Sequence, residues 1–219
     1  MLQKTQPQIR RNARQVMDGL DLLRELGTRC ASAVFLDPQY RQGLDALDYG
    51  NEGERQSGRA ELPQMNDAQI AAFIVEIQRV LRSSAHLFLW VDKYALVSAS
   101  WQRWMPEIGP LSPLDAFIWD KERIGMGRRS RSRFEAMIVI QKGPRRAEGI
   151  WKNRSLPDVV RAKANRTRHP HAKPIPFLQS LIECVTEPGD IVVDPCAGGY
   201  GVLDACKASS RTFIGCDLI

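Results

Sequence analysis

The chain has 219 residues, 43% of them hydrophobic and 26% charged, with a formal net charge of +6 and a sequence pI near 9.2. That length suits one α/β domain with a buried sheet and excludes such a domain plus a large separate module. Apolar runs far shorter than a bilayer span, and the absence of an apolar signal core in residues 1–6, lead to the expectation of a cytoplasmic protein with no membrane association.

In chain order, residues 15–17 read as a short strand and residues 19–26 as a helix closed by Gly27. Residues 31–36 are apolar almost without interruption, as in a strand buried on both faces of a parallel sheet. Residues 41–63 are rich in Gly, Asp, Glu, Arg and Gln without apolar periodicity, which predicts a mobile loop over an active site. Asn66 or Asp67 can cap a helix over 68–81, where Ile70, Phe73, Ile74, Ile77, Val80 and Leu81 recur at helical spacing. Then follow a strand at 85–91, a helix at 95–104, and strands at 116–119 and 134–141 that read as a hairpin. Trp90, Trp101, Trp104 and Trp119 fall on these elements and read as core. Hydrophobic content drops over 144–168, a candidate target-recognition insert. A helix at 177–185 and strands ending at Val193 and Asp217 complete the alternation.

Five cysteines, at 30, 184, 196, 206 and 216, form no Cys-x-x-Cys pair and have no His at ligand spacing. A disulfide framework or metal site is therefore not expected, and the thiols read as reduced.

Two turns stand out. Asp37-Pro38-Gln39-Tyr40 follows the run Ala33-Val34-Phe35-Leu36, and Asp194-Pro195-Cys196-Ala197-Gly198-Gly199-Tyr200-Gly201 follows Ile191-Val192-Val193. Each brings an acidic residue and a tight turn to the carboxyl end of a strand, where open α/β sheets bind ligands. Alone, either dipeptide could be an ordinary Asp-Pro turn.

Their order, with His169-Pro170-His171-Ala172-Lys173-Pro174 between them, resembles the S-adenosylmethionine-dependent DNA amino-methyltransferases that modify adenine N6 or cytosine N4. The match is to the permuted beta group, in which the catalytic tetrad precedes the cofactor loop. The resemblance implies a Rossmann-like α/β sheet, mostly parallel with an antiparallel edge hairpin, in a single domain over 1–219. Asp37, Pro38, Gln39 and Tyr40 would form the catalytic tetrad, with Gln39 replacing the family's usual second proline. Asp194, Pro195, Cys196, Ala197, Gly198, Gly199 and Gly201 would form the cofactor loop, with Cys196 in place of an aromatic residue. Lys173 would lie near the cofactor's methionine portion and Asp217 near its ribose. Asp18 would approach its adenine, with an N-cap for the following helix an equal alternative. His169 and His171 read as motif residues rather than acid–base groups.

The chemistry suits these residue types. An exocyclic amine is a poor nucleophile because its lone pair is delocalised into the ring. Hydrogen bonds from its protons to the Asp37 carboxylate and the Pro38 carbonyl would aim that lone pair at the methyl group. A base must leave the duplex to be reached, and Tyr40 offers a stacking surface worth about 1–3 kcal/mol. Arg128, Arg129, Arg131, Lys152, Arg154, Arg161, Lys163, Arg166 and Arg168 form a nearly acid-free run, which in this company reads as a track for DNA phosphates. The reading is an adenine-N6 methyltransferase with short or relaxed sequence specificity, as a monomer or homodimer. Its rivals are a cytosine-N4 enzyme and a catalytically decayed DNA-binding protein.

Overall fold

The computed structural model describes residues 9–39, 64–107, 109–125, 130–163 and 172–218. The expected loop at 41–63, together with Tyr40, Arg128, Arg129, Arg166, Arg168, His169 and His171, lies outside the described residues.

Asp18 accepts hydrogen bonds from the N–H groups of Leu20 (2.9 Å) and Asp21 (3.1 Å) and so starts helix α1 (Gly19–Glu25). Leu26, not Gly27, closes it, its N–H returning to the Leu23 carbonyl. Strand β1 (Ala31–Leu36) is buried at every position, as its apolar run requires. Helix α2 (Asp67–Val80) begins with a reciprocal capping box between Asn66 and Gln69. Asp67, the other candidate cap, instead accepts the indole N–H of Trp104 at 2.8 Å.

Strand β2 (Leu81–Val91) starts earlier than its apolar pattern suggests. Its regular pairing with β1 begins only at His86, after a register shift, and Ser84 adopts a left-handed backbone, φ 62°. The single helix expected at 95–104 is two pieces, α3 (Lys93–Ser98) and a 3-10 helix (Ser100–Trp104), because Ala99 between them is left-handed, φ 52°. The hairpin strands are β3 (Leu111–Asp120) and β4 (Phe134–Lys142), with β5 (Val159–Arg161) pairing parallel beyond β3. Helix α4 (Ile175–Val185), strand β6 (Ile191–Asp194), helix α5 (Gly201–Ala208) and strand β7 (Thr212–Gly215) follow.

The described residues form a seven-stranded sheet in the order β5-β3-β4-β2-β1-β6-β7, in which β4 alone runs against its neighbours. The expected mostly parallel sheet with a hairpin toward one edge is therefore present. Strand β5, drawn from the stretch expected to be an insert, extends the sheet past that hairpin. The predicted strand at 15–17 is a single bridge, Val16 to Asp217, that runs the N-terminal segment alongside the end of β7.

Alternation along the central strands sorts the core into two layers. Val34 and Leu36 join Leu87, Leu89, Ile138 and Ile140 against α1 and α2. Ala33 and Phe35 join Phe88, Trp90, Met137 and Val139 against α4 and α5. Among the described residues no helix is long and apolar enough to cross a membrane.

Gly19 shows how tightly α1 is set against the turn after β6. A Cβ there would lie inside van der Waals contact with the Pro195 carbonyl oxygen and 2.9 Å from the Phe73 ring. Gly19→Ala should thus destabilise the protein by about 1–3 kcal/mol through overpacking, read as a lowered melting midpoint in calorimetry; an unchanged midpoint would contradict this packing.

Candidate active site

The chain lays β2, β4, β3 and β5 to one side of β1, then returns to place β6 and β7 on the other. The strand order thus reverses between β1 and β6, and a crevice opens above the carboxyl ends of that pair. Val34 is in register with Val193, which brings Asp37 beyond β1 and Asp194 at the end of β6 to neighbouring positions. The resulting cleft has a volume of about 300 Å³ and is lined by both sequence signatures at once. Asp18, Asp37, Gln39, Lys173, Asp217 and residues 194–199 with Gly201 all reach it. Phe35, Met65, Phe73, Trp90 and Leu178 supply its apolar walls.

Each acidic residue is held differently. The Asp37 carboxylate takes the Lys173 ammonium on Oδ2 at 2.8 Å, and Pro38 beside it is buried. Gln39, in the departing position of the tetrad, accepts the Met65 N–H on its carbonyl at 2.7 Å, which ties the turn to the lead-in of α2. Asp217 accepts the Gly198 N–H at 2.6 Å through Oδ2, so this carboxylate organises the Gly-rich loop from the end of the neighbouring strand. Gly198 is left-handed, φ 46°, where a side chain would be strained. Asp18 is both the N-cap of α1 and a wall of the cleft, so the two readings of this residue are compatible.

Asp194 is 6% exposed, and its carboxylate accepts the Cys196 N–H at 3.2 Å. Burial, aided by the nearby charges of Asp37 and Asp217 and opposed by the Cys196 bond and Lys173, pushes its carboxyl up to about 8. Burial and the same carboxylates push the Cys196 thiol well above its ordinary range, so it stays protonated. Lys173 goes the other way. Burial would lower its ammonium, but Asp37 and Glu135 outweigh that and hold it above the usual lysine value.

Two contributors carried no signal in the one-dimensional pattern. Glu135 on β4 bonds the Lys173 ammonium at 2.7 Å from two strands away. Tyr200, 4% exposed and left-handed at φ 57°, donates its hydroxyl to the Gln15 carbonyl at 2.8 Å and so straps the N-terminal segment, with Asp18 at its end, beside the cleft. Trp90 proves both core and site, being 3% exposed while its ring lies 4.6 Å beneath the Lys173 ammonium.

The expected phosphate track divides. Strand β3 and strand β5 run parallel to β1's neighbour β2, so Arg161 and Lys163 emerge at the carboxyl end of the sheet, as does Arg131 ahead of β4. Lys152 and Arg154 do not join them. The Lys152 N–H bonds the Cys184 carbonyl at the end of α4, and its ammonium is taken by Glu187 and the Thr186 carbonyl, at the amino end of the sheet. Within the described part of the stretch 144–168, Lys152 is bonded at the amino end of the sheet and Val159–Arg161 form the edge strand. Arg161 is 75% exposed and only loosely paired, 3.9 Å from Asp120, which is already bonded twice by Arg133.

The comparisons with known proteins agree with this geometry. The model of the N6_N4_Mtase family, described as DNA methylase, matches residues 31–219. The chain belongs to the family of S-adenosylmethionine-dependent DNA amino-methyltransferases that act on adenine N6 or cytosine N4. It is 45% identical over 209 residues to Type II methyltransferase M.HhaII of Haemophilus parahaemolyticus, covering 95% of this chain and 91% of that protein. Among solved structures, the cytosine-N4-specific PvuII DNA methyltransferase superposes with a TM-score of 0.68 at 15% identity, over 94% of this chain and 82% of that one. The M1.HpyAVI–SAM complex does so with a TM-score of 0.63 at 16% identity, over 93% and 92%. At those identities the two structures speak to the fold.

The raised Asp194 carboxyl gives this methyltransferase a pH signature. A carboxyl that binds its proton more tightly when folded than when unfolded makes stability fall as pH rises from its unfolded value toward about 8. Asp194→Asn, which cannot ionise, should therefore gain stability relative to the parent as pH increases across that window. Denaturant unfolding of both proteins without cofactor at several pH values checks this, and a difference independent of pH would contradict the placement of Asp194.

Proposed function

We propose that the cleft transfers a methyl group from S-adenosylmethionine to the N6 amine of an adenine flipped out of DNA, with a short target sequence. The observation that carries this reading is the juxtaposition at the switch point of Asp37-Pro38 on β1 with the Gly-rich turn and carboxylates of β6 and β7.

The site's chemistry fits the cofactor, a compact molecule bearing two positive centres and a ribose. Asp18, Asp37, Asp194 and Asp217 line the cleft with acceptors, apolar groups line the rest, and the left-handed Gly198 lets backbone approach closely. When bound, the cofactor would supply an electrophilic methyl group on a sulfonium and would leave as the neutral thioether, keeping the electron pair of the broken S–CH3 bond. The residues we assign to hold it are Asp18, Lys173, Asp194, Pro195, Cys196, Ala197, Gly198, Gly199, Gly201 and Asp217.

Asp37 accepts one proton of the target amine in a hydrogen bond and the Pro38 carbonyl accepts the other. This draws the nitrogen out of conjugation and orients its lone pair, a positioning and electrostatic contribution rather than a covalent one. Lys173 occupies Oδ2 of Asp37, which leaves the remaining lone pairs for the amine. After the new N–C bond forms, the nitrogen sheds a proton to Asp37 or water. Tyr40 is assigned the stacking role and Gln39 the linkage to α2. Asp at the head of the tetrad supports adenine over cytosine N4 by resemblance to the family's adenine enzymes.

DNA contacts are assigned to Arg131, Arg161 and Lys163 at the carboxyl end of the sheet, with Arg128, Arg129, Arg166 and Arg168 in adjoining sequence. Lys152 is withdrawn from that role because its ammonium is paired at the amino end of the sheet, and Arg154 with it because its neighbour Asn153 is bonded at the same end. A short target, rather than none, is supported by the 45%-identical relative being a Type II methyltransferase. We assign the enzyme to the cytoplasm, a reading supported by DNA as its substrate.

Three outcomes follow from the assignment. Asp37→Ala should lower single-turnover methyl transfer by about 100-fold or more, the scale of losing an oriented electrostatic contact, with the cofactor still bound in calorimetry; near-normal turnover would refute the catalytic role, and absent cofactor binding in the parent protein would favour the decayed DNA-binding protein. Gly198→Val, by contrast, should weaken cofactor binding more than DNA binding, and unchanged cofactor affinity in the folded variant would overturn the loop assignment. Neutralising Arg161 and Lys163 together should weaken binding to every sequence alike and flatten the salt dependence in filter or fluorescence titrations.

A further inference from the structure

The Asp37 carboxylate does not meet Lys173 in isolation. Lys173 precedes α4, and its side chain, 14% exposed, reaches across the face of Trp90 on β2 to join the end of β1 with the start of β4. Its ammonium has three N–H donors. One goes to Asp37 Oδ2 at 2.8 Å and one to Glu135 Oε2 at 2.7 Å. Glu135 is fixed in turn, since its Oε1 takes Lys121 Nζ at 3.3 Å, and Trp119 is its partner in the β3–β4 ladder. The row Lys121–Glu135–Lys173–Asp37 therefore alternates in charge and ends on the proposed acceptor of the target amine.

We propose that Glu135 is a positioning residue for methyl transfer, acting through Lys173 to set the orientation and acceptor strength of Asp37. This rests on the role given to Asp37 above. Glu135 is not among the residues that line the cleft, and it meets Asp37 through Lys173. Its effect follows from sharing. An ammonium bonded to one carboxylate alone is free to slide over both oxygens and competes with the target amine for their lone pairs. Divided between two carboxylates and braced on an indole, it is confined to Oδ2, and part of its charge is answered by Glu135. Burial alone would raise the Glu135 carboxyl, but Lys173 and Lys121 hold it below the ordinary glutamate range, so it is ionised and able to play this part at neutral pH.

The test uses the full chain, with single-turnover methyl transfer to DNA under saturating cofactor, cofactor affinity by calorimetry and melting midpoints measured together. Glu135→Gln keeps an oxygen facing Lys173 but removes the charge. The expected result is a rate lowered by about tenfold or more with cofactor affinity within about threefold. In the Lys173→Met background the same substitution should change the rate by less than about threefold, because the path from Glu135 to Asp37 is already cut. Glu135→Asp, which keeps the charge on a shorter stem, should be more active than Glu135→Gln and serves if the glutamine variant does not fold. A Glu135→Gln rate within about twofold of the parent, an equal loss with and without Lys173, or a less active aspartate variant overturns the proposal. Asp37→Ala is assayed alongside. If it retains turnover, the role of Asp37 itself fails; if it is inactive while Glu135→Gln is normal, only the positioning role fails.

Discussion

One buried ammonium holds the site together. Lys173 Nζ is withdrawn from water, a cost of several kcal/mol for an unpaired ion, and the two carboxylates that offset it come from strands that are not neighbours in the sheet. The bond to Asp37 fixes the turn after β1, and the bond to Glu135 fixes the start of β4. Because Lys173 also leads directly into α4, the same contact sets where that helix begins to cover the second core layer. Removing one partner would leave a buried charge half answered, whereas in the intact arrangement two carboxylates share it.

The remaining acidic residues follow from strand order. At the reversal between β1 and β6 two strand ends stand side by side, and it is there that Asp37 and Asp194 approach. Burying carboxylates beside one another in a small apolar-walled cleft is unfavourable, and the Asp194 carboxyl is raised first by burial and then by Asp37 and Asp217. The same crowding makes the cleft a receptor for a cationic ligand, since bringing in positive charge relieves the repulsion. Asp217 escapes part of this strain by bonding Gly198 and thereby shapes the loop.

The sequence made the strands and signatures legible because each is local. Residues 31–36 are buried on both faces and read as a continuous apolar run; Asn66 and Gln69 form a box whose spacing is fixed by helix geometry. What could not be read is long-range or conformational. The break at Ala99 depends on a left-handed residue of a type that does not announce it, and the early start of β2 depends on a shift at Ser84. Glu135 earns its place from a partner 38 residues away. The basic run was a sound reading of composition, yet one-dimensional proximity hid that Lys152 and Arg161 leave opposite ends of the sheet.

The fold, the family and the cleft leave the identity of the modified base as the point on which the functional account stands. It is read most directly by incubating unmethylated DNA with the purified protein and isotopically labelled S-adenosylmethionine, digesting to nucleosides and identifying the labelled product by mass. The account predicts label in N6-methyladenine. Label in N4-methylcytosine, or none in any nucleoside, would contradict it.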